Sequence, residues 1–186
     1  RTYALFERMG TYYIKTNLLS FGIIYSMKIY LETDRMIFLN FEKEDHSLIK
    51  ELDSDPDVVR YISDGIPSDE QEVNRAMNIF LTFNERYNQK LGFWKAINKD
   101  SEEFMGWFHF RPLKSNLDDL ENIELGYRLK KKFWGKGYAT EGSKALIDKA
   151  KKEFKIEQIW AHAMLGNTDS INVMEKVGLA HDYDDV

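Results

Sequence analysis

The stretch that most constrains this chain runs from Ile123 to Ala150. Ile123–Leu129 reads as a buried strand, the next residues as a short basic loop centred on Gly135 and Gly137, and Ala139 onward as a helix carrying Lys144, Ala145, Ile147 and Ala150. Glycines let a backbone approach an anion closely, and the free N–H groups and positive dipole end of a new helix face it. Arg128, Lys130, Lys131, Lys132 and Lys136 gather around this loop in a chain whose formal net charge is -5. A charge run alone reads as a solvated strand end. Joined to the glycine pair, it reads as a phosphate loop. A Walker loop ends in Gly-Lys-Ser/Thr, which this segment lacks. A dinucleotide loop needs a third Gly or an Ala where Thr140 stands, and strands rather than a βαβ unit lie upstream.

Lys132-Phe-Trp-Gly135-Lys-Gly137 resembles instead the acetyl-CoA loop of the GCN5-related N-acetyltransferases, Arg/Gln-x-x-Gly-x-Gly/Ala. A second block, Asn167-Thr-Asp-Ser170-Ile-Asn172-Val-Met-Glu175-Lys176-Val-Gly178-Leu179, is similar to that family's second signature, Asn-x-x-Ser/Ala followed by Glu-Lys-x-Gly-Phe/Leu. Its form is typical of the ribosomal-protein N-terminal (RimJ/RimL-like) acetyltransferase branch. Read from the residues alone, the block is a short amphipathic helix (Ile171, Met174, Val177) capped by Ser170 or Asp169 and ended by Gly178. The two blocks stand in the family's order with a strand, Gln158–Leu165, between them, and the resemblance covers residues 28–180.

The resemblance implies an α/β (α+β) acyl-CoA N-acyltransferase fold: a central, mixed, mostly antiparallel sheet flanked by helices, with a splayed parallel strand pair. It implies acetyl-CoA as co-substrate and no metal. The pyrophosphate would meet the N–H groups of Gly135, Lys136, Gly137, Tyr138 and Ala139, with Thr140 offering a hydroxyl and the lysines, Lys132 included, supplying diffuse attraction. The amide-bearing arm would run along Tyr127, Arg128 and Leu129 like an added strand, with Asn167 bonding it and Lys176 nearby in the second signature. A backbone N–H near Tyr127 would meet the oxyanion. Glu124 is the candidate base, its pKa raised by burial; the bland alternative is a charged strand end paired with Lys or Arg. Many members carry a tyrosine acid where Met174 stands, so Ser170 is the candidate proton donor to the leaving thiolate.

The activity implied is acetyl transfer to a primary amine, on a protein N-terminus or a small molecule, by direct attack in a ternary complex. With no cysteine in the chain, an acyl-cysteine intermediate is excluded. Polyamine or aminoglycoside acetylation and a noncatalytic acyl-CoA-binding module are the alternatives. The acidic balance argues against nucleic acid as a partner. His46, His109, His162 and His181 form no ligand-spaced pair, and His109 and His162 read as packed or hydrogen-bonded neutral residues in strands. No apolar run is long enough for a membrane span and no signal peptide is evident, so the expected location is the cytoplasm.

The 186 residues suit one compact domain, 27–186, preceded by an extension, 1–26. Thr11–Lys15 and Phe21–Ser26 read as a hairpin that would complete the sheet within the chain or by exchange with a neighbouring subunit, the latter making a homodimer. Further along, Glu42–Leu52 reads as a first helix, Asp57–Ile62 as a short helical piece, and Ser68 with Gln71 as a capping box for a long helix reaching Tyr87. In the family this helix pair walls the acceptor cleft, which would bring Tyr61, Asp64 and Asp69 near an amine. Leu91–Ile97 and Glu103–Phe110 read as strands leading by a meander into Ile123.

Overall fold

The computed structural model describes residues 29–113, 116–154, 156 and 158–182. The hairpin expected at 11–26 lies outside them. A single sheet of six strands runs in chain order: β1 (Ile29–Glu32), β2 (Met36–Asn40), β3 (Gly92–Asn98), β4 (Phe104–Pro112), β5 (Asn122–Leu129) and β6 (Gln158–Trp160). Neighbours are antiparallel from β1 to β5, and β6 lies parallel to β5. A parallel neighbour requires a crossover. Helix α3 (Tyr138–Lys149) supplies it and ends in a π-helical turn, Ala150–Phe154. The fold class is the one expected.

Both faces of the sheet are covered, which is why every residue of β4 is buried rather than every second one. On one face Trp94, Ala96, Phe108, Phe110, Ile123 and Leu125 pack against Leu146 and Ile147 of α3. On the other, Phe93, Phe104 and Trp107 meet Ile49 and Leu52 of α1 (His46–Asp53) and Val73, Met77 and Phe80 of α2 (Glu70–Arg86). Asn84 of α2 ties the helix to β3: its side chain accepts from Phe93 N at 2.7 Å and donates to Phe93 O at 2.8 Å.

Four local expectations are corrected. The capping box of α2 is Asp69 with Glu72, while the Ser68 hydroxyl bonds Asp53 instead. An ionised side chain at the cap serves the helix N-terminus better than a hydroxyl. The first helix opens with a 3-10 turn, Lys43–Asp45, before α1. Residues 56–62 form successive turns rather than a helix, closed by bonds such as Ile62 N to Val59 O. Finally, β6 stops at Trp160 rather than running to Leu165, so among the described residues β5 beyond Glu124 has no partner on that side. Among the described residues no helix is long and apolar enough to cross a membrane.

Candidate functional site

Two glycines shape the loop after β5: Gly135 at φ +68° and Gly137 at φ +80°, where L side chains are strained. Gly137 is the N-cap of α3 and offers no side-chain cap to the helix. The first-turn N–H groups at Tyr138, Ala139 and Thr140 therefore have neither an intrahelical nor a capping partner, which suits a bound anion. The loop is braced from behind. Arg35 Nη1 donates to Lys136 O at 2.9 Å and its Nε to Glu141 Oε2 at 2.6 Å. Thr33 Oγ1 and Arg35 N both donate to Glu141 Oε1, and the Arg35 guanidinium lies 4.2 Å over the Tyr138 ring. Burial would raise the Glu141 carboxyl, but the bonds from Thr33 and Arg35 outweigh it and hold the group below its usual range. Trp134 Nε1 anchors the other end of the loop on Leu129 O at 2.7 Å.

The expected cloud of free lysines is corrected. Lys130 pairs with Glu51, Lys131 with Asp57 and Lys132 with Glu103, while Arg128 pairs with the buried Asp53. Lys130–Lys132 and Glu51 line a hollow of about 480 Å³ beside α1. Each cation there already has a carboxylate, so anion attraction rests on the loop backbone, with Lys136 exposed beside it.

Where β5 and β6 part, a cavity of about 190 Å³ opens between β5 and α4 (Thr168–Lys176). Glu124, Tyr127, Arg128, His162, Ser170 and Met174 are among the residues lining it. Glu124 is partly buried. Its Oε2 is paired with Arg111 of β4, and its Oε1 lies 3.7 Å from both His109 Nε2 and His162 Nδ1. Burial, the largest single influence, would raise this carboxyl; His109, Arg111 and His162 together outweigh it and hold it down to about 2. The expectation of a raised value is thus reversed, because β4 places an arginine and a histidine on the same face of the sheet. Of the two histidines, His109 is the packed strand residue expected and only His162 departs from that expectation. His109 is buried against Trp107 and Phe93, while His162 follows β6 and is 53% exposed.

The cap of α4 is Asn167, whose Oδ1 accepts from Ser170 N at 3.2 Å. This corrects Ser170 or Asp169 as the cap and frees the Ser170 hydroxyl. Tyr127 OH lies 3.3 Å from Ser170 Oγ, across the cavity. Burial pushes the phenol up, so Tyr127 keeps its proton and acts as a donor. Gly178 ends the helix as expected, with Leu179 N bonded to Met174 O.

The structure thus brings Glu124, Tyr127, Arg128 and Ser170 to one cavity and sets Gly135–Thr140 at the α3 N-terminus. Leu129 is buried with its carbonyl already taken by Trp134. Lys132 is turned to Glu103, and Lys176 is exposed in the last turn of α4, away from the residues lining the cavity. Asp69 caps α2, and Tyr61 lies near Gly166. Arg35, Glu141, Arg111 and the tyrosine hydroxyl of Tyr127 were not singled out by sequence reasoning. Arg35 and its partner Glu141 stand 106 residues apart, so no local spacing links them. Among the described residues no group of three potential metal ligands is present.

Comparison with known proteins agrees with this geometry. The model of the acetyltransferase (GNAT) domain matches residues 35–180. The chain is similar to the FsC-acetyl coenzyme A-N(2)-transacetylase of Aspergillus fumigatus, 28% identical over 155 residues, covering 81% of this chain but only 65% of that relative, less than two thirds of its length. It is also similar to the uncharacterised N-acetyltransferase p20 of Bacillus licheniformis, 30% identical over 162 residues, with 83% and 86% of the two chains covered. Among solved structures, a GNAT-family acetyltransferase from Bacillus anthracis superposes with a TM-score of 0.65 at 27% identity, over 80% of this chain and 81% of that one. The sheet that parts at β6, the uncapped glycine turn before α3 and a family model spanning most of the chain lead to one conclusion: this chain belongs to the GNAT family of acetyltransferases.

Proposed function

We propose that the protein transfers an acetyl group from acetyl-CoA directly to a primary amine, in the manner of the RimJ/RimL-like branch that its second signature resembles. The observation that carries this reading is the juxtaposition of an uncapped helix N-terminus behind two positive-φ glycines with a cavity holding a partly buried carboxylate and a hydroxyl pair. Acetyl-CoA, when bound, supplies the activated acyl group. The residues of the chain do the rest. Backbone N–H groups at Gly137–Thr140 hold phosphate, Asn167 and the unpartnered edge of β5 at Tyr127 and Arg128 orient the acyl arm, and the Glu124 cluster receives the proton of the amine. Ser170, backed by Tyr127, donates to the departing sulfur in place of the tyrosine that Met174 replaces.

Glu124 is the acidic residue among those lining the cavity, and Arg111 already pairs with it. This favours an amine carried on a peptide or other molecule that is not a polycation. A noncatalytic acyl-CoA-binding module draws support from Met174, which cannot donate a proton, and is opposed by the Tyr127–Ser170 pair. The test is to incubate the protein with acetyl-CoA and a panel of peptides with free N-termini, spermidine and an aminoglycoside, following thiol release and product mass. Acetylation of the peptides is expected. Acetyl-CoA binding with no transfer to any amine would favour the binding module.

A further inference from the structure

The base of the reaction has to sit at the cavity, change its protonation state near neutrality and pass a proton on to water. Glu124 meets only the first condition: its Oε2 is held by Arg111, and its carboxyl stays ionised far below neutral pH. A carboxylate so stabilised is a weak proton acceptor. Its free oxygen, Oε1, is however aimed at two imidazoles, each at 3.7 Å. His109 also lines the cavity but is buried among Phe93, Trp107 and Gly126. His162 lines the cavity and is also half-exposed.

The ring geometry adds direction. Nδ1 of His162 is the nitrogen that faces Glu124, which leaves Nε2 turned away from that carboxylate. A carboxylate beside one ring nitrogen selects the tautomer protonated there and makes the other nitrogen the acceptor. We infer that His162 is the catalytic base, accepting the amine proton on Nε2, and that Glu124 is a positioning residue that fixes its tautomer and stabilises the imidazolium. This rests on the acetyltransferase reading above. In the step, an N–H bond of the amine breaks and its proton passes to His162 Nε2. The nitrogen electron pair forms the bond to the acetyl carbonyl carbon, and the C–S bond breaks. The sulfur leaves with that electron pair and takes a proton from the Ser170 hydroxyl, which regains one from the Tyr127 phenol as that phenol is reprotonated by water. Water at the exposed edge of His162 then removes the proton. The charged and titratable groups around His162 are Glu124 and Arg128 of β5, His109 and Arg111 of β4, and the hydroxyls of Tyr127 and Ser170 across the cavity. Arg128 is paired with Asp53 and Arg111 with Glu124 Oε2, which leaves Glu124 Oε1 as the carboxylate oxygen facing the His162 ring.

Two measurements test this. The first needs no acceptor: the His162 ring nitrogens are followed by nitrogen NMR through a pH titration of wild type and of Glu124→Gln. Nδ1-protonated tautomer in wild type, and a titration midpoint that moves to lower pH in the variant, are expected. An Nε2-protonated ring whose midpoint ignores the substitution would overturn the assignment. The second uses His162→Gln, a substitution at an exposed side chain that leaves the core untouched. kcat/KM for the amine should fall roughly 100-fold, the acidic limb of its pH profile should disappear, exogenous imidazole should restore part of the rate, and calorimetric affinity for CoA should stay at the wild-type value. A His162→Gln enzyme within threefold of wild type, with the limb intact, would sink the base while leaving the acetyltransferase reading standing. A wild-type protein that binds no CoA would remove both.

Discussion

Glu124 shows how a single residue changes meaning with its neighbours. A carboxyl drawn out of water is pushed toward neutrality, but here His109, the buried Arg111 and His162 surround it, so the ionised form wins. The sign of the resulting pH dependence follows. The carboxyl is held at about 2 in the folded protein against an ordinary value of 4.5, so its contribution to stability is complete above the ordinary value. That contribution is lost as pH falls through the folded one. Glu141, also lowered, acts with the same sign. Glu124→Gln should therefore show a shallower loss of stability between neutral pH and pH of about 3 than wild type. At pH 7 the variant should be less stable by about 3 kcal/mol, because Arg111 is left charged and unpaired in the interior. Urea denaturation at a series of pH values measures both effects.

At the scale of elements, the loop before α3 owes its shape to β2 and to the turn before it. Arg35 bridges the Lys136 carbonyl and the Glu141 carboxylate, and so fixes the backbone whose N–H groups face outward. Arg35→Ala should raise KM for acetyl-CoA about tenfold, with kcat little changed, since the loss is one of preorganisation. Arg35→Lys should not rescue it, because one ammonium cannot reproduce the two-pronged fork; steady-state kinetics on the two variants decide the point. The helices α2 and α4 each depend on a side-chain cap, Asp69 and Asn167. Alanine at either should cost ~1 kcal/mol in chemical denaturation. Only Asn167→Ala should also weaken CoA binding, because α4 borders the cavity and the cap of α2 does not.

For the whole molecule, what was legible in the sequence is what is local. The strand, glycine loop and helix of residues 123–150 are contiguous, and their order alone requires a parallel pair after the crossover, though not the place at Trp160 where it parts. The aromatic runs in β3 and β4 marked strands buried at every position but Ile97, because helices cover both faces. Illegible were the pairings across the sheet: Arg111 with Glu124, Arg35 with Glu141, and the carboxylates that neutralise Lys130–Lys132, all set by register and helix placement rather than by spacing. The helix caps were missed by one residue at Ser68 and by two or three at Asp169 and Ser170, because several adjacent side chains could serve and backbone geometry chooses among them. The central claim is that the Gly137 turn and the α3 N-terminus hold the phosphates of acetyl-CoA. Calorimetric titration with acetyl-CoA of wild type, Gly137→Asn and Gly137→Asp tests it most directly, the first variant separating backbone strain at φ +80° from charge. The account predicts that wild type binds, that the asparagine variant binds more weakly and that the aspartate variant does not bind; equal binding by the aspartate variant and wild type would contradict it.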